Sequence, residues 1–177
     1  MKELTTDRLL LRRFTSDDSD FIFDMYSRWE VQCFIGLTPR LMTERAEAEE
    51  RTARYAAFEH PVHGLWAITD KSTGQRFGVL LLKPLPASGP ETPLGPSGEI
   101  EIGWHLHPDS WGQGYASEAA EAVLAHAFAT GLERVLAVTN RNNVASQAVA
   151  RRIGMSHMGT TLDFYNTECE LFSIERE

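Results

Sequence analysis

The sequence predicts a mixed α/β fold, a twisted sheet flanked by helices, and three features carry that prediction. The first half holds apolar runs separated by a short turn, the pattern of an antiparallel hairpin. The middle holds an alternating strand, a glycine-bearing turn and an amphipathic helix in direct succession. The last third alternates strand, helix and strand, and such crossovers allow locally parallel pairing. At 177 residues the chain is long enough for one full core and a little long for two, so residues 1–177 are read as one domain.

Taken in chain order, Arg8–Arg13 reads as the first strand. Ser16-Asp17-Asp18 opens a helix whose Phe21, Phe23, Met25 and Tyr26 read as core rather than as a substrate cage. A second helix runs from about Thr43 to Phe58, with Thr43 as N-cap and Glu44 in its first turn. Leu65–Asp70 and Gln75–Leu82 form a hairpin around Lys71-Ser72-Thr73-Gly74. The proline- and glycine-rich stretch from Pro84 to Gly98 reads as a surface loop within the domain. Next, Ile100, Ile102, Trp104 and Leu106 alternate with Glu99, Glu101, Gly103 and His105, a strand that ends at Pro108. After Trp111-Gly112-Gln113-Gly114 a helix carries Ala116, Ala119, Ala120, Val123, Leu124, Ala127 and Phe128 on one apolar stripe. Arg134–Thr139 is a strand, Val144 to Arg152 a helix closed by Gly154, and two strands finish the chain.

Composition narrows the function classes. The fractions of apolar and charged residues are those of an ordinary soluble globule, and no apolar run reaches the roughly 18 residues of a membrane span. The N-terminal residues lack the apolar core of a signal peptide, so a cytoplasmic location is expected. Cys33 and Cys169 stand far apart inside apolar patterns, which excludes a disulfide framework. The net charge of −8 argues against a nucleic-acid partner; it suits a cationic amine through long-range attraction, and equally suits simple solubility. The pairs His105/His107 and His60/His63 lack third and fourth ligands, and no metal is expected.

The turn at 112–117 carries the chemistry. The first turn of a helix offers backbone N–H groups without internal partners and a positive dipole end, and glycine lets an anion approach without meeting a Cβ. A phosphate- or pyrophosphate-bearing ligand is therefore expected there. A nucleoside-triphosphate loop would need a lysine after its glycines, and none is present. A dinucleotide loop would need a third glycine where Ser117 stands, after a buried parallel strand. Of the three ligand classes coenzyme A fits best, with its pyrophosphate on the helix N-terminus and its pantetheine arm beside a strand; the alternative at this point is that Gly112 and Gly114 only make a tight turn.

Trp111-Gly112-Gln113-Gly114-Tyr115-Ala116-Ser117-Glu118-Ala119 resembles the signature of the GNAT superfamily of N-acetyltransferases, and more narrowly its RimJ/RimL-like branch. Trp111 stands where the superfamily usually has glutamine or arginine, a common form in that branch. Thr6–Phe14 resembles the family's first strand, and Asn140–Met155 its Asn-x-x-Ser helix and closing turn. The resemblance spans nearly the whole chain. It implies a sheet splayed where acetyl-coenzyme A enters, no metal, and a primary amine as acceptor. It implies contacts to the cofactor from Trp104, His105, Leu106, Trp111, Gly112, Gln113, Gly114, Tyr115, Ala116, Ser117, Asn143 and Ser146. Ser146 matches the family serine that protonates the departing thiolate, with Tyr115 and Tyr165 as alternative acids. Asn143 matches an asparagine near the pantetheine, and is also an ordinary N-cap.

Acetyl transfer to an amine needs a neutral nucleophile. A lysine side chain costs roughly 4–5 kcal/mol to neutralise at pH 7, an α-amino group only about 1–1.5 kcal/mol. A weak base acting through water is thus enough for a protein N-terminus. Glu101 is the first candidate base, with Glu99 on the same strand face and Glu168 near the C-terminus as alternatives; the bland reading of that face is a solvated one. The expected activity is acetyl-coenzyme A-dependent N-acetylation by direct transfer, on a protein N-terminus or on a small amine such as a polyamine or an antibiotic-like molecule. A non-catalytic acyl-coenzyme A sensor and a nucleotide-binding module are the competing classes, and homodimer formation is left open.

Overall fold

The computed structural model describes residues 1–176. In chain order it runs β1 (Leu4–Thr5), β2 (Leu9–Arg12), a short 3₁₀ turn, α1 (Ser19–Tyr26), α2 (Trp29–Gln32), α3 (Arg45–Ala57), β3 (Gly64–Asp70) and β4 (Arg76–Pro86). It continues through β5 (Pro96–Leu106), a second 3₁₀ turn, α4 (Tyr115–Ala129), β6 (Arg134–Thr139), α5 (Val144–Arg152), β7 (Ser156–Thr161) and β8 (Cys169–Glu175). The eight strands form one mixed sheet in the order β1-β2-β3-β4-β5-β6-β8-β7. Pairing is antiparallel except between β5 and β6, where the crossover through α4 gives the parallel step.

Alternation along the strands divides the apolar residues between two faces. Trp66, Ile68, Leu80, Leu82 and Ile102 pack with Ala119, Ala120, Val123 and Leu124 of α4 and Ala150 of α5. Their neighbours Ala67 and Val79 point the other way, against Ile22, Met25, Tyr26 and Ala48 of α1 and α3. Each fully buried Leu, Ile or Phe here contributes about 1.5–3 kcal/mol through removal from water. A third cluster of Leu85, Leu136 and Phe164 closes the end of the sheet near the β7–β8 loop.

Two expectations need correction. The N-cap of α3 is Glu44, not Thr43: Glu47 reaches back to the backbone N–H of both Thr43 (3.1 Å) and Glu44 (3.2 Å), so the helix starts one residue later. The stretch from Pro84 to Gly98 is only partly loop, because β4 extends to Pro86 and β5 begins at Pro96, with Pro84 opposite Ile100. Past Leu82 strand β3 has ended, and prolines are tolerated on such an open edge because no neighbour there asks for their N–H. The short β1 and α2 carry too few residues to show a period.

Candidate active site

β5 and β6 share one paired position, Glu101 opposite Leu136, and part beyond it. The gap opens into a cavity of about 880 Å³ that runs from α2 and α3 on one face of the sheet to the N-termini of α4 and α5 on the other. Gly103 lies in the wall, where an added Cβ would sit 3.1 Å from Leu81 and narrow the passage. Trp104, His105, Leu106, Trp111, Gly112, Gly114, Tyr115, Ala116, Ser117, Asn143, Ser146 and Glu101 all line this one cavity. Gln113 does not; it is exposed, and its carbonyl accepts from Arg8 Nη1 at 3.0 Å.

At the α4 end the turn is built on Gly112 and Gly114, with φ of +73° and +81°. A Cβ on Gly112 would meet nothing within 4 Å, so backbone conformation rather than space selects glycine there. Gly114 is the N-cap of α4 and supplies no side-chain cap, which leaves the first-turn amides available to a ligand. α5 differs: Asn143 Oδ1 accepts from the Ser146 N–H at 3.1 Å, so Asn143 serves as its N-cap.

Arg8, on the approach to β2, fixes the turn from outside. Its guanidinium binds Glu118 Oε2 (2.7 Å from Nε) and lies over the Tyr115 ring, itself stacked on Phe77 at 4.1 Å. Trp111 Nε1 donates to Leu106 O at 2.9 Å, tying the turn to the end of β5. Arg152 Nη1 donates to Ser117 Oγ at 3.0 Å and brings a guanidinium to the α4 N-terminus. Neither Arg8 nor Arg152 was legible as part of this site, since their partners are distant in sequence. Trp104 Nε1 is a buried donor without a partner among the described residues.

At the point where the strands part, Glu101 is 5% exposed, not on a solvated face. Lys83 stands opposite it in the β4–β5 ladder, with Nζ 2.6 Å from Glu101 Oε1 and 2.8 Å from the Tyr165 hydroxyl. The Tyr165 hydroxyl donates to the same Oε1 in a short hydrogen bond. Both partners fall on Oε1, and Oε2 has no protein partner among the described residues. A carboxylate so held keeps one oxygen for a water or an amine. Burial, and then the charge of Glu101, push the Tyr165 phenol well above its ordinary value, so it stays protonated.

The loop holding Tyr165 is positioned by the proline-rich segment. Tyr165 and Asn166 both take left-handed backbone angles (φ 58° and 54°), uncommon for residues with a side chain. Asn166 compensates by pairing with Gly89 through both ends of its amide, at 2.8 and 2.9 Å, and Ala87 bridges Phe164.

Glu168 lines the cavity mouth but is ion-paired to Arg141 at 2.9 Å, and Glu99 is engaged by Arg134. On the face of the sheet covered by α1 and α3, His105 Nδ1 is 2.8 Å from the Tyr26 hydroxyl. Burial, then the charges of Arg51 and Lys83, depress His105 to about 4, so its ring is neutral at pH 7. His107 lies past the strand, bound to Asp24 at 3.0 Å, and His60 stacks on His63. Among the described residues no three potential ligands converge as a metal site would need, and no helix is long and apolar enough to cross a membrane.

Comparison with known proteins agrees with this geometry. The model of the acetyltransferase (GNAT) domain matches residues 8–156. The chain is 31% identical to the uncharacterized N-acetyltransferase YoaA of Bacillus subtilis, over 88% of this chain and 84% of that one. Its fold is similar to that of a GNAT-family acetyltransferase from Bacillus anthracis, with a TM-score of 0.79 at 21% identity and 98% of each chain covered. It is similar too to RimL, the ribosomal L7/L12 alpha-N-protein acetyltransferase, solved in complex with coenzyme A (TM-score 0.75, 18% identity, 98% of each chain). With a parted parallel pair, an uncapped glycine turn and a family model covering most of its length, the chain belongs to the GNAT family and is an N-acetyltransferase.

Proposed function

We propose that the protein transfers the acetyl group of acetyl-coenzyme A directly to a primary amine, with an α-amino group of the RimL kind as the first candidate. One observation carries the reading: Glu101, with Oε2 free, faces the same cavity that the uncapped α4 turn closes at its other end. The residues fit the ligand. Gly112, Gly114 and the amides of Tyr115, Ala116 and Ser117 would hold the pyrophosphate, with Arg152 adding positive charge beside them. Trp104, His105 and Leu106 would border the pantetheine arm, and the orphaned Trp104 Nε1 matches a wall meant to meet polar groups.

When bound, acetyl-coenzyme A supplies the activated acyl group; the chain's residues position the amine and move protons. Glu101 Oε2 takes the ammonium proton, directly or through one water. Lys83 holds Oε1 and keeps the carboxylate in the cavity wall. Ser146, in the first turn of α5, is the acid for the departing sulfur, with Tyr165 the alternative because its hydroxyl already faces Glu101. Tyr115 is disfavoured, since its ring is stacked on Phe77 under Arg8.

Thiol release with acetyl-coenzyme A against a panel of peptides and small amines tests the reading, and Gly114→Glu is its control. That variant sets a carboxylate where the phosphates would lie, at a φ of +81°. Acetyl-coenzyme A affinity should fall at least about 10-fold, about 1.4 kcal/mol, in a folded protein. Unchanged affinity would remove this turn from the binding site.

A further inference from the structure

The chain is acidic, yet its cavity is not. Three arginines that line the cavity, Arg51, Arg54 and Arg152, form no ion pair with a carboxylate among the described residues. Arg152 stands at the cofactor end. Arg51 and Arg54 stand at the acceptor end, three residues apart on α3 and hence on one helix face. The remaining charges there largely cancel: Glu101 is paired with Lys83 and Glu168 with Arg141, which leaves Glu30 as the one carboxylate in the wall without an ion pair among the described residues.

Arg51 is held in place. Its guanidinium lies 4.3 Å over the Tyr26 ring, and the Tyr26 hydroxyl meets His105. His105 follows Glu101 by four residues on β5, so it stands roughly 13 Å along an extended strand. A guanidinium fork matches a planar carboxylate, and Arg51, half-buried, and Arg54, exposed, both face the cavity without one among the described residues. An extended peptide covers the same span in about four residues.

We infer, on the reading of the site as an α-amine acetyltransferase, that the acceptor is a peptide N-terminus with acidic side chains among its first four residues, held by Arg51 and Arg54. The amine lies at Glu101 and the acidic side chains lie against α3. Polycations such as polyamines and aminoglycoside-like molecules are rejected by the same two guanidinium groups. The overall charge of −8 therefore does not set the acceptor's sign.

The test uses C-terminally amidated peptides Ser-Ala-Asp-Glu, Ser-Ala-Asn-Gln and Ser-Ala-Lys-Lys, with glutamate and spermidine as small amines, read by thiol release. The acidic peptide should exceed the neutral one in kcat/KM by roughly 10-fold or more, the range of a hydrogen bond to a charged group. The double variant Arg51→Gln/Arg54→Gln should erase that preference by raising KM for the acidic peptide with kcat little changed. Arg51→Lys should restore part of it. Acetyl-coenzyme A affinity, measured by calorimetry, reports whether the variants fold. Equal turnover of the three peptides, a preference that survives the double variant, or faster turnover of glutamate or spermidine overturns the inference while leaving acetyl transfer intact. Binding of acetyl-coenzyme A with no turnover of any amine overturns both.

Discussion

Asp18 and Glu101 are both buried carboxylates held by cations from neighbouring strands, yet their environments differ in kind. Asp18 is fully buried and spends both oxygens: Arg12 binds Oδ2 and Oδ1 at 2.9 and 2.8 Å, Arg76 binds Oδ1 at 2.6 Å, and the Thr15 N–H binds Oδ2 at 2.9 Å. Burial alone would raise its pKa, but the hydrogen bonds from Arg12 and Arg76 outweigh that and hold it at about 2. Glu101 gathers its partners on one oxygen and faces a cavity with the other. Burial and ion pairing mark both residues; only the unspent oxygen and the space beside it mark a reactive group.

The comparison is broken most forcefully at Glu101. Glu101→Gln keeps the shape and the contacts to Lys83 and Tyr165 but loses the base, so kcat should fall about 10²–10⁴-fold. Glu168→Gln, made alongside, should leave the rate near wild type because Glu168 is spent on Arg141. A full-rate Glu101→Gln enzyme would remove this carboxylate from the mechanism.

Asp18→Asn should do the opposite, lowering stability while leaving kcat intact. Removing one member of a buried ion pair costs about 3–5 kcal/mol, and the partial exposure of Arg12 and Arg76 places the effect near 3 kcal/mol. The sign with pH follows from the depressed pKa. The contribution is complete above the ordinary value near 3.8 and is lost as pH falls from there through about 2. Chemical denaturation at pH 7 and pH 3 measures it; a variant with wild-type stability at both would show that the triad of Asp18, Arg12 and Arg76 holds nothing together.

The sequence made Glu101 visible and concealed its company. The alternation in β5, the glycine turn and the Asn143/Ser146 spacing are local patterns, and local patterns fix β6, α4 and α5 within a residue or two. Glu101 was found for the same reason. Its partners were not: Lys83 faces it across the β4–β5 ladder with the whole proline-rich segment between them in sequence, and Tyr165 depends on a strained loop held by Gly89. Charge alternation suggested a solvated face because period two reports which residues share a face, not whether a second layer of helices covers it. Arg51 and Arg54 lie on a helix whose local pattern does not say what it covers; only the parting of β5 and β6 puts a cavity beneath them.

The smallest effect expected sharpens the comparison at the thiolate end. Ser146 follows Asn143 by three residues, and Asn143 caps the helix through the Ser146 N–H, which leaves the hydroxyl free to face the cavity. Tyr165 offers a proton too, but its hydroxyl is engaged by Glu101 and its pKa is raised by burial and by that charge, which weakens it as an acid. A thiolate with pKa near 8.5 leaves with little help, so the acid's contribution is modest. Ser146→Ala should lower kcat roughly 10- to 100-fold, below the upper range for acid–base groups, with acetyl-coenzyme A affinity nearly unchanged because the interaction belongs to the transition state. Tyr165→Phe should reduce kcat less, because it removes a hydrogen bond to the base rather than the acid. If Ser146→Ala keeps the wild-type rate and Tyr165→Phe does not, the acid belongs to the Glu101 cluster, and base and acid sit on one side of the parted strands.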